Sequence, residues 1–313
     1  MAVVLITGGT GVIGSALKDE LLSRNYDIII MTRSPEKYSN TPRVNYAKWD
    51  TEKQTIDGDA ITKADYIVHL AGESVADKRW TAKRKKQIVE SRINGGTLLV
   101  KALRENINNV RAVVSASGIG WYGSPALTVA DGRGTEKNPF EETDPVAEDF
   151  LGTTCKEWEA SIDPVISLGK RLVKFRTGPV LSKDSGAIKE FKRPLRFGIA
   201  TILGNGKQIM SWIHIDDLVR LYSYAIEMER LNGIYNAVAP HPAANKKMIL
   251  QLARTMRGKF YVPVFIPSFI LKIVFGELSI EVLKSAAVSC KKIKGEGYHF
   301  LYPSLTAALH HVK

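Results

Sequence analysis

Short apolar runs alternate with stretches of helical spacing through the first half of the chain. Residues 3–6, 28–31, 66–70 and 112–115 are short, largely apolar segments, and 172–175 and 234–237 repeat the pattern later. Between them, residues 12–23 carry Ile13, Ala16, Leu17, Leu21 and Leu22 at helical spacing. Residues 85–103 carry Ile88, Ile93, Leu98 and Leu99 in the same way, and 150–161 form a third helical stretch. Apolar runs without polar alternation are what strands look like when both faces are covered. Strands that alternate with helices need right-handed crossovers and hence a parallel sheet. The pattern predicts an α/β fold with a doubly wound parallel sheet, whose ligand crevice lies at the carboxyl ends of the strands.

Residues 182–208 break the alternation, being rich in Lys, Arg and Gly, and the chain beyond Pro240 reads as mostly helical. The most apolar late stretch, residues 260–275, is interrupted by Pro263, Pro267 and Lys272. It is too broken to span a membrane and reads as a core helix with its lead-in. The chain has 313 residues, ample for a large core, with a formal net charge of +12. Such a surplus could attract nucleic acid, acidic lipid or anionic metabolites. No zinc spacing or aromatic platform accompanies the basic runs, so they read as solvated helix faces, with neither nucleic acid nor membrane as partner. Two cysteines, Cys155 and Cys290, suggest neither a metal site nor a disulfide framework, and the paired His310 and His311 lack further ligands, so no metal is expected. A reducing, cytoplasmic setting is expected, since the first strand begins at once without a basic leader.

The strongest chemical signal is Thr7-Gly8-Gly9-Thr10-Gly11-Val12-Ile13-Gly14, which follows a predicted strand and opens a predicted helix. In that setting Gly8 permits a tight turn, Gly11 lets the backbone approach a pyrophosphate, and Gly14 lets the helix pack on the strand. The N–H groups around Thr10, Val12 and Ile13 then face the phosphates with the positive end of the helix dipole. The alternative is a plain βα turn, which the strand–turn–helix context disfavours. The second strand ends Met31-Thr32-Arg33-Ser34 with no acid to hold a ribose 2′-OH. Arg33 can instead pair with a 2′-phosphate and Thr32 can donate to it, which points to NADP(H). The turn makes the fold an NAD(P)-binding Rossmann fold. Residues 1–181, completed by about 210–240, would form the cofactor domain, and 182–209 with 241–313 a smaller, mostly helical lobe on the substrate side.

The glycine turn, His69-Leu70-Ala71-Gly72 and Ser115-Ala116-Ser117 together resemble the extended short-chain dehydrogenases/reductases. The likeness sharpens to the atypical "epimerase family protein" subgroup with a small C-terminal domain of unknown function. It is carried by Gly72-Glu73-Ser74, Arg79-Trp80, Ser91-Arg92-Ile93, Trp121-Tyr122-Gly123 and Lys156-Glu157-Trp158-Glu159. Further on it is carried by residues 176–181, Ser211-Trp212-Ile213-His214-Ile215-Asp216-Asp217-Leu218, Gly276-Glu277 and Gly297-Tyr298-His299-Phe300. The resemblance implies that Leu70, Ala71 and Gly72 pass beside the adenosine half of the cofactor. It implies that Arg92 lies near the dinucleotide, that Ser115 joins the cofactor site, and that Leu181 lies near the nicotinamide.

Members of that superfamily usually use Ser or Thr, Tyr and Lys, the Tyr four residues before the Lys on one helix face. Tyr is the acid/base, and Lys lowers its pKa. Here Ser117 (or Ser115) fits the first role and Lys156 the last, but the Tyr position holds Gly152. Tyr122 is the nearest other phenol and is expected to shape the pocket more than to catalyse. Arg176 could meet an anionic substrate or an ion-pair partner, and His214 reads as a buried residue ahead of a helix capped by Asp216. Two functions are compatible with these residues. One is an NADP(H)-dependent oxidoreductase or sugar-nucleotide-epimerase-like enzyme of atypical mechanism acting on an unidentified small molecule. The other is a non-catalytic NADP(H)-binding regulator or redox sensor. A homodimer built on the 85–103 and 150–161 helices is compatible with either.

Overall fold

A computed structural model of the chain describes residues 1–124, 133–183 and 186–312. The strands are β1 (Val3–Thr7), β2 (Asp27–Thr32), β3 (Val44–Asp50), β4 (Thr55–Ile56), β5 (Tyr66–His69), β6 (Ala112–Gly118) and β7 (Arg171–Thr177). They continue with β8 (Val180–Leu181), β9 (Ile199–Leu203), β10 (Ile209–Met210), β11 (Ile213–His214), β12 (Gly233–Ala237), β13 (Ala243–Ala244) and β14 (Val262–Ile266). The helices are α1 (Val12–Ser23), α2 (Gly58–Lys63), α3 (Ala82–Glu105), α4 (Phe150–Ile162), α5 (Gly186–Leu195) and α6 (Ile215–Glu227). Beyond these come α7 (Asn245–Arg257), α8 (Ser268–Phe275), α9 (Leu278–Leu283), α10 (Lys291–Gly295) and α11 (Leu305–His311).

Eight strands form one sheet in the order β12-β7-β6-β5-β1-β2-β3-β4. All neighbours are parallel except the last pair, β3 with β4. The chain lays down β1 to β3 in one direction and returns to β1's other side for β5, β6, β7 and β12. The strand order therefore reverses between β1 and β5, and the crevice of a doubly wound sheet opens at such a reversal. Central strands are buried on both faces, as their unbroken Val/Ile content predicts. Val4, Ile6, Ile28 and Val173 face one core with α1 and α6, whereas Leu5, Ile67, Val113 and Leu172 face the other with α2 and α3.

A third core lies off the sheet. Leu181, Ile188, Ala200, Ile202, Trp212, Met248, Leu252 and Leu309 draw together α5, β9, α7 and α11. A fourth, small cluster joins Trp80 and Ile88 to Leu278 and to Phe150 and Leu151, so α9 rests on the starts of α3 and α4.

The 260–275 stretch departs from expectation. It is not a core helix: β14 pairs only with β9, and α8 buries Leu271 while Phe269, Ile273 and Val274 stay exposed. Pro263 lies within β14, and Pro267 ends that strand and caps the short α8, so the stretch is a strand and a short helix and not one continuous apolar helix. Among the described residues no helix is long and apolar enough to cross a membrane.

Candidate functional site

At the reversal point, the backbone of Thr7–Gly14 is locked by close approaches that only glycine permits. Gly8 has φ +73°, and a Cβ there would lie 3.0 Å from the Ala71 nitrogen. A Cβ on Gly14 would lie 2.3 Å from the Gly8 oxygen and 2.5 Å from the Gly9 Cα, so α1 sits directly on the turn. Gly11 differs: its added Cβ would meet only the Gly8 oxygen, at 3.3 Å. Its open side faces away from the protein, beside exposed Thr10 and half-exposed Val12. No side chain caps α1 and no acid stands in its first turn. The N-terminal N–H groups and dipole of α1 are thus available to an anion, which is what a pyrophosphate needs.

The second wall of the crevice is the loop after β5. Ala71 N–H donates to the Thr7 hydroxyl at 3.3 Å, and that hydroxyl lies 2.7 Å from His69 Nδ1. His69 is fully buried, and burial together with Arg92 pushes its pKa down to about 4. Leu70 and Ala71 are half-buried and Gly72 is exposed at the crevice mouth. Arg92 is buried, and burial lowers its pKa to about 10. Its guanidinium donates to the carbonyls of Glu73 and Ile88 and lies over Trp158 at 4.8 Å. It thereby braces this loop through Gly72 and Glu73. At the end of β2, Arg33 is exposed, and the Thr32 hydroxyl accepts the Ser34 N–H at 3.3 Å. Ser115 is buried with its hydroxyl turned to the Ala116 carbonyl, and Leu181 is buried in the off-sheet core. Any approach of Leu181 to a ligand is therefore through its backbone.

The three candidate catalytic side chains are not assembled into one site. Ser117 is buried and donates to Glu159 at 2.7 Å. Tyr122 is 0 % exposed, donates to Asn236 at 2.8 Å, stacks on Phe140, and has its pKa raised by burial to about 12. A phenol so placed is closed off from solvent and packed as a structural side chain, as expected of a residue that shapes the pocket. Lys156 is exposed on α4, and it is Glu159, one helical turn on, that reaches Ser117. Gly152, four residues before Lys156, is closely packed: a Cβ there would lie 2.1 Å from the Ala147 carbonyl oxygen.

What the strand ends do hold is a buried polar network. Glu159 accepts from Arg176 at 2.8 and 3.2 Å as well as from Ser117, and Lys174 lies 3.7 Å away. The Arg176 guanidinium stacks on Trp121 at 3.6 Å and also donates to Tyr122 and to the Glu142 carbonyl. Arg176 is therefore an ion-pair partner and not a free anion receptor. Glu159 was legible only as the one charged residue on the apolar stripe of α4, among Cys155, Trp158 and Ile162. Cys155 donates to the Gly118 carbonyl, and burial raises its pKa to about 11, which leaves an inert thiol.

The tail histidines meet partners that linear spacing hides. His311 Nδ1 lies 3.3 Å from His214 Nε2, and Asp216 lies 3.6 Å from each ring. His214, not Asp216, caps α6, accepting the Asp216 N–H.

The model of the NAD-dependent epimerase/dehydratase family matches residues 4–149, and that of a domain of unknown function, DUF1731, matches 266–312. An epimerase family protein of Staphylococcus haemolyticus is 33% identical over 97% of this chain and 96% of its own length. The crystal structure of a human epimerase family protein with NADPH superposes with a TM-score of 0.84 at 27% identity, covering 99% of this chain and 98% of that one. The nucleoside-diphosphate sugar epimerase of Corynebacterium glutamicum gives a TM-score of 0.75 at 28% identity, and this chain spans 58% of its length.

Proposed function

The chain belongs to the epimerase family, and from that premise we propose that it binds NADP(H) and serves as an oxidoreductase or sugar-nucleotide-epimerase-like enzyme of atypical mechanism. One observation carries the binding half of this reading: the open, uncapped N-terminus of α1 behind Gly11, with no acid in its first turn. Arg33 supplies the preference for the 2′-phosphate, since it is exposed at the end of β2 where an acid would select NAD. That the human relative is crystallised with NADPH supports the same choice.

When bound, the nicotinamide would supply hydride transfer. The chain's own residues would orient it: the glycine turn holds the phosphates, Arg92 fixes the loop beside the adenosine, and Glu159 and Arg176 hold the ends of β6 and β7 rigid. Ser117 and Tyr122 already donate to Glu159 and Asn236, so in this reading proton transfer would come from substrate, water or a group brought in on closure.

A second reading, an NADP(H)-binding sensor without turnover, is favoured by one specific observation. Gly152, which the family resemblance sets in the place of the usual tyrosine, packs so closely that a Cβ would lie 2.1 Å from the Ala147 carbonyl oxygen.

Calorimetric titration with NADPH and NADH on the native chain and on Arg33→Ala tests the binding half. Loss of one charge-assisted contact should weaken NADPH about 10-fold or more and leave NADH unchanged. If neither dinucleotide binds, the proposal fails. Turnover of NADPH against a panel of carbonyl and sugar-nucleotide substrates separates the two readings. A partner that distinguishes NADPH from NADP⁺, with no turnover, would favour the sensor.

A further inference from the structure

The apolar surface formed by β14 and α8 has no counterpart in the cofactor site. At one corner Phe197 and Phe260 are each 83% exposed. They are brought side by side by the β9–β14 pairing, in which Ile199 lies opposite Val262 and the Val262 N–H donates to the Gly198 carbonyl. The surface continues through Phe265 to Phe269, Ile273 (68% exposed) and Val274 on α8. Single apolar residues on a surface need no explanation, but so many large ones exposed along β14 and the helix that follows it mark a contact with something apolar.

Along this stretch of the chain the charges are of one sign. Residues 230–276 contain seven Lys and Arg and not one Asp or Glu. Arg196, Arg257 and Lys259 are exposed beside the Phe197–Phe260 corner, and Lys272 is exposed between the apolar positions of α8. Lys246 Nζ lies 5.6 Å from the centre of the Phe265 ring. The first acid beyond, Glu277, is paired with Lys85.

From this combination we propose that the β14–α8 face docks on an anionic lipid bilayer, with its aromatic and aliphatic side chains in the interface and its cations at the headgroups. Exposed Phe, Ile and Val beside Lys and Arg are what an interfacial contact requires, apolar insertion and attraction to anionic lipid acting together. The same features disfavour a second copy. A two-fold contact through this face would bring the cations of one copy, Arg257, Lys259 and Lys272, up against the same cationic set of the other. Addition of a further strand at the free edge of β14 is opposed by Pro263, which has no N–H to give. The contact is with the surface only, since α8 has eight residues and cannot cross.

The test is co-sedimentation of the full chain with vesicles of phosphatidylcholine alone and of phosphatidylcholine mixed with phosphatidylglycerol, at low and high salt. The chain should bind the anionic vesicles, bind the neutral ones far more weakly, and be released as salt screens the headgroups. Lys259→Glu with Lys272→Glu should lower the partition by about 25-fold or more, at roughly fivefold per cation lost. Phe260→Ser with Ile273→Ser should abolish it. Both side chains are exposed, so thermal melts of these variants should match the native chain, which separates lost docking from lost folding. No binding to anionic vesicles, or equal binding to neutral ones, overturns the proposal. So does light scattering that shows a dimer in the native chain and a monomer in the Phe260→Ser, Ile273→Ser variant, because the face would then be a contact between copies.

Discussion

Glu159→Leu removes the acceptor on which the buried network turns. The native carboxylate takes hydrogen bonds of 2.7, 2.8 and 3.2 Å from Ser117 and Arg176. Without it, Arg176, which is 1% exposed, keeps a full charge whose hydrogen-bond partners are the Tyr122 hydroxyl and the Glu142 carbonyl, with the Trp121 ring stacked on it and the Glu142 carboxylate acting only through space. Leaving one member of a buried pair unpaired costs about 3–5 kcal/mol. The two remaining acceptors and the stacked indole, together worth on the order of 1–2 kcal/mol, place the expected loss near 3 kcal/mol. Urea unfolding followed by both circular dichroism and fluorescence would measure it, with coincident curves licensing a single free energy. Glu157→Leu, an exposed change on the same helix, should cost within about 0.5 kcal/mol. The double variant Glu159→Leu, Arg176→Leu should cost at least about 1 kcal/mol less than the sum of the singles, because it removes the stranded charge. If Glu159→Leu costs no more than Glu157→Leu, or the two singles simply add, then the reasoning that a buried ion pair holds these strand ends is wrong.

Other parts of the site lead to three further outcomes. Gly14→Ala places a methyl 2.3 Å from the Gly8 oxygen, so α1 must withdraw from the turn; stability should fall by about 1–3 kcal/mol and NADPH affinity with it, read by melting and calorimetry. Gly152→Tyr should destabilise the start of α4 and gain no turnover, since even a Cβ there meets the Ala147 carbonyl at 2.1 Å; recovered reductase activity would contradict this. His69, neutral when buried, has a folded pKa of about 4 against 6.5 for the free side chain. The unfolded chain binds the extra proton between those values, so its contribution is complete above pH 6.5 and is lost as the pH falls towards 4, by up to about 3 kcal/mol. Unfolding titrations of the native chain and His69→Leu across that window should show a shallower pH slope in the variant.

The sheet was largely legible because its central strands are buried on both faces and leave unbroken apolar runs. Residues 112–115, read as a strand, lie within Ala112–Gly118, and 85–103, read as a helix, within Ala82–Glu105. Strand β3 escaped notice because it lies towards the sheet edge, where Asn45 and Lys48 face solvent between Val44, Ala47 and Trp49. The glycine turn was legible because steric need is local: each glycine is explained by atoms within a few residues or one strand away. The contacts of the catalytic candidates were not, because motif spacing specifies a residue's place on a helix and says nothing of what meets it from other strands. Glu159, Arg176 and Tyr122 come from three elements, and only their packing shows that they satisfy one another. The 260–275 stretch was misread for a related reason, since apolar content says that a segment avoids water without saying what will cover it.

Asn236 has a consequence for the order in which the protein can be made. On β12, the outermost parallel strand, its N–H donates to Glu142, its side-chain oxygen accepts from Tyr122, and its amide donates to the Ser289 carbonyl. A ribosome delivers these partners in sequence, and Ser289 is among the last. A nascent chain that has emerged only as far as β12 can form most of the sheet, but the Asn236 amide at its outer edge still lacks the carbonyl it will donate to in the folded chain. The edge closes only once the C-terminal segment around Ser289 has left the tunnel. A gene cut between β12 and β13 would encode a product that retains its glycine turn yet is left with an unfinished seam.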